Sequence, residues 1–191
     1  MKKVLFLLVM AVAAISASAQ ITWNAKGGIG IAHCWGDADG LSSHFVGKIG
    51  AGIEKPLTSN WSLMPSLEVA WKGCKFEGGK VDIFYVQVPV LAAYRLNLND
   101  SWNMTLKAGP YIGVGVYGNV KADGGGSENL FSNGGKRLDA GLDLGIDFEY
   151  HRFVFGVEYE LGFTPLLKDD FDGETYSVRN AAFYATVGYK F

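Results

Sequence analysis

The chain has 191 residues, with 17 Lys and Arg against 19 Asp and Glu, for a formal net charge of −2. This length suits one domain. Balanced charge without a basic cluster argues against nucleic acid as the main partner. Charged residues make up only 19% of the chain and aromatic residues 14%, while Gly, at 26 residues, has about twice its usual share. These values are unusual for a soluble protein surface.

The first residues have the pattern of an export signal. Met1-Lys2-Lys3 is positively charged, Val4 to Ile15 is apolar, and Ala17-Ser18-Ala19 matches an A-x-A cleavage site. The apolar run is too short for a membrane-spanning helix, which needs about 20 residues. The sequence therefore predicts a cleaved signal peptide over residues 1–19 and an exported domain over residues 20–191.

Beyond residue 20, apolar and polar residues alternate with a period of two. From Leu138 to Tyr150 every second residue is apolar, and the positions between hold Asp, Gly or Glu. Strict alternation predicts strands with one apolar and one polar face. Eight such runs lie at about 22–33, 44–55, 61–72, 81–97, 102–118, 137–150, 152–164 and 178–191.

The connections between these runs alternate in length. Tight turns are predicted at 56–60, at 98–101 and at Tyr150-His151. Longer loops rich in Gly, Asp and Ser are predicted at 34–43, 73–80, 119–136 and 165–177. Short periplasmic turns, long outer loops and an even strand count are typical of membrane barrels. The predicted fold is all-β, an eight-stranded antiparallel up-and-down transmembrane β-barrel.

Aromatic residues indicate which face meets the membrane. A soluble barrel such as a lipocalin would also alternate, but Trp61 and Trp71 lie ten residues apart on one apolar face. At ~3.3 Å per residue and a tilt of ~40° they span roughly 25 Å, the height of an outer-membrane apolar band. The aromatic residues predicted at the two membrane interfaces are Trp23, Trp61, Trp71, Tyr94, Trp102, Tyr150, Phe163 and Tyr189.

The C-terminal run has apolar residues at alternate positions back from the last residue. Phe183, Val187, Tyr189 and Phe191 are similar to the signal by which the barrel-assembly machinery recognises outer-membrane proteins. The alternative is an ordinary edge strand that ends the chain.

Four stretches carry a family resemblance: residues 25–30, 85–90, 108–113 and 186–191. In these the chain resembles the porin-family, PorT-type outer-membrane β-barrel proteins, relatives in architecture of OmpA and OmpX. The resemblance implies an eight-stranded barrel in the outer membrane of a Gram-negative bacterium, and no catalytic residue or cofactor. Eight strands leave an interior that side chains just fill.

The polar face predicts a salt-bridged plug inside this barrel. If 56–60 is a turn that pairs Lys55 with Trp61, then Lys48 lies opposite Glu68. If Tyr150-His151 is a two-residue turn, Glu149 lies opposite Arg152, and Asp143 opposite Glu158. The alternative is a proton or cation path through the same groups. The predicted interior residues are Lys26, Lys48, Glu68, Arg95, Lys107, Asp143, Asp147, Glu149, Arg152, Glu158 and Lys190.

Several motifs suggest chemistry and fail on context. Residues 113–118 match GxGxxG but no helix is predicted to follow, as dinucleotide binding requires; Gly113 and Gly115 are expected to make room for side chains across the lumen. Residues 170–173 suggest a calcium loop, yet Lys168 and Arg179 stand where an EF-hand needs acids. A plain solvated loop is expected there, with a weak divalent-cation site of another kind as the minority alternative. No metal or cofactor site is predicted.

Two questions at the outer rim stay open from the sequence. Cys34 and Cys74 either form a disulfide or remain free thiols, because strand 44–55 separates their strands. A minority reading is a lipid A-modifying enzyme with a nucleophilic serine, built from His33, His44, Ser42, Ser43, Asp37 and Asp39. We expect no enzyme, since a loop of this composition contains such residues by chance.

The expected role is structural, or one of surface interaction through the loops 119–136 and 165–177, with Phe131 and Phe171 as their apolar anchors. The expected partners are outer-membrane lipid, lipopolysaccharide and, during biogenesis, the barrel-assembly machinery. The surface ligand is unidentified. A narrow solute or ion channel and a component of a secretion apparatus are the alternatives.

Overall fold

The computed structural model describes residues 21–36, 42–76, 78–122, 126–132, 135–171 and 174–191, with backbone alone at 127, 167–171 and 174–177. The predicted signal peptide lies outside these residues. Within the described part of the chain, no helix is long and apolar enough to cross a bilayer.

Nearly all described residues lie in antiparallel strands. Consecutive long strands pair with one another, and β1 pairs with β9, which closes the barrel. The short β6 pairs only with the outer end of β5, so eight long strands form the wall. The predicted eight-stranded barrel is confirmed. The strands are β1 (Thr22–Gly36), β2 (His44–Pro56), β3 (Trp61–Phe76), β4 (Gly79–Asn97), β5 (Trp102–Ala122), β6 (Ser127–Asn129), β7 (Leu138–Tyr150), β8 (Phe153–Phe171) and β9 (Glu174–Lys190).

Several strands run further at their outer ends than the sequence predicts. Phe76 pairs with Gly79, and Phe171 pairs with Glu174, so the long loops predicted at 73–80 and 165–177 are wrong. Strands beyond the bilayer need no apolar outer face, and their Gly, Asp and Lys content therefore resembles that of a loop.

The predicted register at two short turns is wrong by two residues. Lys48 lies opposite Ala70, not Glu68, because Pro56 pairs with Ser62. Trp61 is the first residue of β3, and its carbonyl oxygen accepts hydrogen bonds from the N–H groups of Leu57 and Thr58 in the turn, at 2.8 and 3.1 Å.

At the second turn, Tyr150 pairs with Phe153, and the turn is His151-Arg152. His151 has a φ of 55°, a positive value of the kind that two-residue hairpin turns use. Asp143 consequently lies opposite Glu160 and not Glu158. A slip of two residues keeps every side chain on its face, so the inward and outward sets are unchanged.

The outward aromatic residues form two levels. At the short-turn end, Trp61 stands beside Tyr94, with ring centroids 5.0 Å apart, and Trp102 beside Tyr150, at 4.8 Å. Trp23 is exposed at this end, where Tyr189 contacts Phe153.

The outer level contains a row of three neighbouring rings, in which Trp71 and Phe84 are stacked and Tyr117 is tilted against Phe84. Phe84 lies 5.8 Å from Trp71 and 6.1 Å from Tyr117, measured between ring centroids. Phe163 is exposed, but Trp71 is partly buried, and its indole N–H donates to Asp82 at 3.2 Å.

Candidate functional site

Four charged side chains close into a ring inside the short-turn end of the barrel. Arg95 Nη2 lies 2.7 Å from Glu54 and 3.2 Å from Glu149. Lys190 Nζ bridges the same two carboxylates, at 2.7 and 2.6 Å. Acidic and basic side chains alternate around this ring, so each has two neighbours of opposite charge. We call it the lower ring.

Above the lower ring, Lys107 and Lys26 converge on one carboxylate. Lys107 Nζ lies 2.5 Å from Glu158 and 2.6 Å from Asp147. Lys26 Nζ lies 2.8 Å from Glu158 and 2.8 Å from Glu68. A cavity of about 30 Å³ lies among Lys26, Lys107, Asp147 and Lys190, which is room for about two water molecules and no larger solute.

Lys48 is shared by three carboxylates at mid-height. Its Nζ contacts Glu158 and lies 2.9 Å from Glu160 and 3.4 Å from Glu68. The ammonium also lies 4.7 Å from the centroid of the Tyr184 ring, a cation–π distance. Oxygens of the three glutamates lie within 4.8 Å of one another, close enough to hold a metal ion. In this structure the ammonium groups of lysines, Lys48 first among them, supply the positive charge beside these glutamates.

Lys72 continues the ion pairs toward the outer end. Its Nζ lies 2.7 Å from Glu160 and 3.0 Å from Asp139, with the Tyr111 ring centroid at 4.1 Å. Gln87 donates to Glu160 at 2.8 Å. The ion pairs therefore run without a break from Asp147 to Asp139. We call the residues of this succession the central chain: Asp147, Lys107, Glu158, Lys48, Glu160, Lys72 and Asp139.

Asp143 stands beside the central chain without sharing in it. The residue is fully buried, and neither carboxyl oxygen has a hydrogen-bond partner among the described residues. Its cross-strand neighbour is Glu160. Two carboxylates side by side repel when both are charged.

An apolar plug closes the outer end of the lumen. Leu130 and Phe131 belong to a 3-10 turn after β6 that folds inward. A Cβ on Gly115 would lie 2.4 Å from the Phe131 ring, and one on Gly118 2.8 Å, so these glycines make room for that ring. The plug, which we call the cap, consists of Val81, Ile83, Tyr85, Leu130 and Leu166 with Phe76, Val120 and Phe131.

Arg137 holds the cap to the wall. Its guanidinium lies 4.2 Å from the Phe131 ring centroid and donates to the Gly115 carbonyl at 3.0 Å. The Gly115 N–H donates to the Arg137 carbonyl at 2.6 Å. The loop 119–136 was expected to be a polar surface loop, but its apolar residues Leu130 and Phe131 pack inside the barrel.

Cys34 and Cys74 form a disulfide, with their Cα atoms 5.6 Å apart. This resolves the open choice between a disulfide and free thiols. β2 begins only at His44, so above that level β1 and β3 approach each other directly, and Ser42 bridges to Lys75. Both cysteines are buried beside the cap.

All predicted interior residues face the lumen except Arg152, which lies in the exposed turn. Arg152 was assigned to the interior because of the two-residue register error. Other polar residues of the interior were missed, although they have the same parity as their predicted neighbours on the polar face of each strand. Among them are Glu54, Lys72, Gln87, Asp139 and Glu160.

The other motifs considered in the sequence lie at sites where no ligand or reaction is indicated by the described residues. Residues 113–118 lie within β5, with no α-helix after them in the described residues. His44 Nε2 lies 2.9 Å from Asp82, and Lys80 lies 3.1 Å from the same carboxylate. Asp37 and Asp39 lie outside the described residues, as do Asp172 and Gly173 of the acidic loop. The side chain of Phe171 is not described.

Solved structures of outer-membrane barrels share this fold at low sequence identity. OprG of Pseudomonas aeruginosa is 12% identical with a TM-score of 0.52, covering 92% of this chain and 98% of that one. Neisserial surface protein A is 14% identical with a TM-score of 0.50, covering 88% and 97%. The attachment invasion locus protein Ail of Yersinia pestis is 16% identical with a TM-score of 0.49, covering 89% and 98%.

At such identities the likeness shows the fold alone. No curated protein matches the sequence. The model of the outer membrane protein beta-barrel domain family matches residues 11–168. With the closed barrel and its polar interior, this match shows that the chain belongs to the outer membrane protein beta-barrel domain family.

Proposed function

We propose that this protein is a sealed barrel that serves the outer membrane as a structural and surface-exposed component and conducts no solute. The observation that carries the proposal is the occupied lumen. The lower ring, the central chain and the cap succeed one another along the barrel axis.

The ion pairs make the lumen costly to open. Lys48 contacts three carboxylates, and both it and Glu160 are fully enclosed. Removing one partner of a buried pair costs about 3–5 kcal/mol, because the other charge is left unpaired in a region of low dielectric. A solute crossing this level must separate several such pairs at once.

The outer ends of the strands support a surface role. β4, β5 and β8 have 19, 21 and 19 residues, whereas a strand needs about 9–11 to cross the bilayer. The excess extends the barrel beyond the outer aromatic row. A disulfide and the cap brace this extension, which presents a β-structured surface to the outside.

The last strand supports recognition by the barrel-assembly machinery. Phe183, Val187 and Phe191 are exposed on the lipid face. The PorT-type resemblance, with its implied secretion apparatus, remains a prediction. We expect no enzymatic activity, and a narrow channel is the alternative that the following experiment addresses.

The test is permeability of proteoliposomes that contain the refolded barrel. We expect entry of potassium and of small sugars no faster than into protein-free liposomes. Folding is checked in the same sample by heat-dependent migration in detergent gels. Faster entry in proportion to the amount of folded barrel would refute the sealed lumen and favour the channel.

A further inference from the structure

Three lysines stand in one row on the outer face of adjacent strands. Lys75 of β3 is the cross-strand partner of Lys80 of β4, and Lys80 is the partner of Lys121 of β5. Their chain neighbours Cys74, Val81 and Val120 face the lumen in the disulfide and the cap. Since side chains alternate along a strand, the three lysines point away from the barrel.

This row of lysines destabilises the fold. Directly opposed side chains on paired strands lie about 5 Å apart, and like charges at such positions are destabilising. Asp82 lies two residues along β4 from Lys80, on the side nearer the membrane. Its carboxylate is 3.1 Å from Lys80 Nζ and neutralises part of the positive charge of the row. Lys75 and Lys121 are exposed. A positive row of this kind is stabilised by an anion that spans it.

The position of the lysine row relative to the membrane indicates which kind of anion binds there. Lys75, Lys80 and Lys121 each lie four residues along the strand from the neighbouring rings of Trp71, Phe84 and Tyr117, respectively. Four residues of a tilted strand rise roughly 10 Å. Interfacial aromatic residues mark the boundary of the apolar layer, so the lysines stand at the level of the lipid headgroups of the outer leaflet.

We propose that Lys75, Lys80 and Lys121 bind the phosphate groups of an outer-leaflet glycolipid, with its acyl chains against the row of Trp71, Phe84 and Tyr117. Lysine near an anionic lipid surface contributes about 1 kcal/mol per residue. The site lies on the lipid face, so the proposal is independent of whether the lumen conducts.

The experiment measures the dissociation constant of bisphosphorylated lipid A for the folded barrel in detergent, by native mass spectrometry. We compare the wild type with Lys75→Met/Lys121→Met and with Lys55→Met/Lys136→Met, which removes the same charge elsewhere. The first variant should bind roughly thirtyfold more weakly, since two lysines are removed, and the second should bind as the wild type does. Dephosphorylated lipid A should bind the wild type at least as weakly as the phosphorylated lipid binds the first variant, which keeps Lys80.

Stability without lipid separates binding from a structural role. Lys75→Met/Lys121→Met should be at least as stable as the wild type, because opposed like charges are relieved. Equal affinity of both double variants would overturn the proposal, as would equal affinity for the dephosphorylated lipid. Inorganic phosphate that displaces lipid A at equal concentration would also overturn it, by assigning the row to a free anion.

Discussion

Lys48 of β2 and Glu160 of β8 form an ion pair across the lumen, with Nζ 2.9 Å from Oε1 and 112 positions between them in the chain. Their strands do not pair, since β1 and β9 stand between them in the wall. The interior charges therefore join strands that backbone hydrogen bonds leave separate. This relationship makes the lumen a stabilising element of the barrel.

Lys48→Met should lower the free energy of unfolding by about 3–5 kcal/mol, because Glu68, Glu158 and Glu160 lose a shared cation while remaining buried. Urea titration of the barrel in lipid vesicles, followed by tryptophan fluorescence, measures this. Lys136→Met, at an exposed position, is the control and should change stability by less than about 0.5 kcal/mol. Equal stability of the two variants would contradict the account.

Asp143→Asn should leave stability unchanged or increase it, since both carboxyl oxygens lack partners and Glu160 stands opposite. Glu160→Gln should cost roughly 3 kcal/mol, because Lys48 and Lys72 lose a shared charge. The two neutral replacements have matched chemistry and neighbouring positions, so the same urea titration compares them directly. A larger loss for Asp143→Asn than for Glu160→Gln would show that Asp143 has an ionic partner.

Cys34→Ala/Cys74→Ala should unfold more readily than the oxidised wild type, by about 2–4 kcal/mol. The disulfide closes a loop of sequence separation 40 and so restricts the unfolded chain. Unfolding is measured with and without reductant. Reductant should destabilise the wild type and have no effect on the variant, and a wild type insensitive to complete reduction would be inconsistent with this role.

Phe131→Ala should loosen the cap, because its ring fills the space beside Gly115 and Gly118 and lies under the Arg137 guanidinium. Trypsin cleavage after Lys136 or Arg137 reports this directly and should be faster in the variant. Phe45→Ala, which removes an exposed phenylalanine of the lipid face, is the matched control. Identical cleavage rates in the two variants would show that Phe131 does not hold the cap.

The strands and their faces could be predicted because alternation determines which side chains turn inward, and a register error of two residues does not alter the face. The register itself depends on local hydrogen bonds. Thr58 Oγ1 accepts a hydrogen bond from the N–H of Trp61 at 3.0 Å, which ties the start of β3 to the turn before it. Composition does not reveal such a contact.

The cap could not be predicted, since Leu130 and Phe131 stand in a segment whose Gly, Asn and Ser content resembles a solvated loop. The room that Gly115 and Gly118 leave for the Phe131 ring appears only when β5 is placed in the wall. The disulfide likewise depends on where β2 begins, a boundary that alternation locates only approximately.

Single-channel recording in a planar bilayer tests the sealed lumen most directly, with the refolded wild type beside Glu68→Ala and Asp143→Ala. The account predicts that the wild type inserts without conductance steps, because the lower ring, the central chain and the cap occupy the lumen in succession. Steady wild-type openings whose conductance changes in Glu68→Ala or Asp143→Ala would contradict it and show that the interior charges line an ion path.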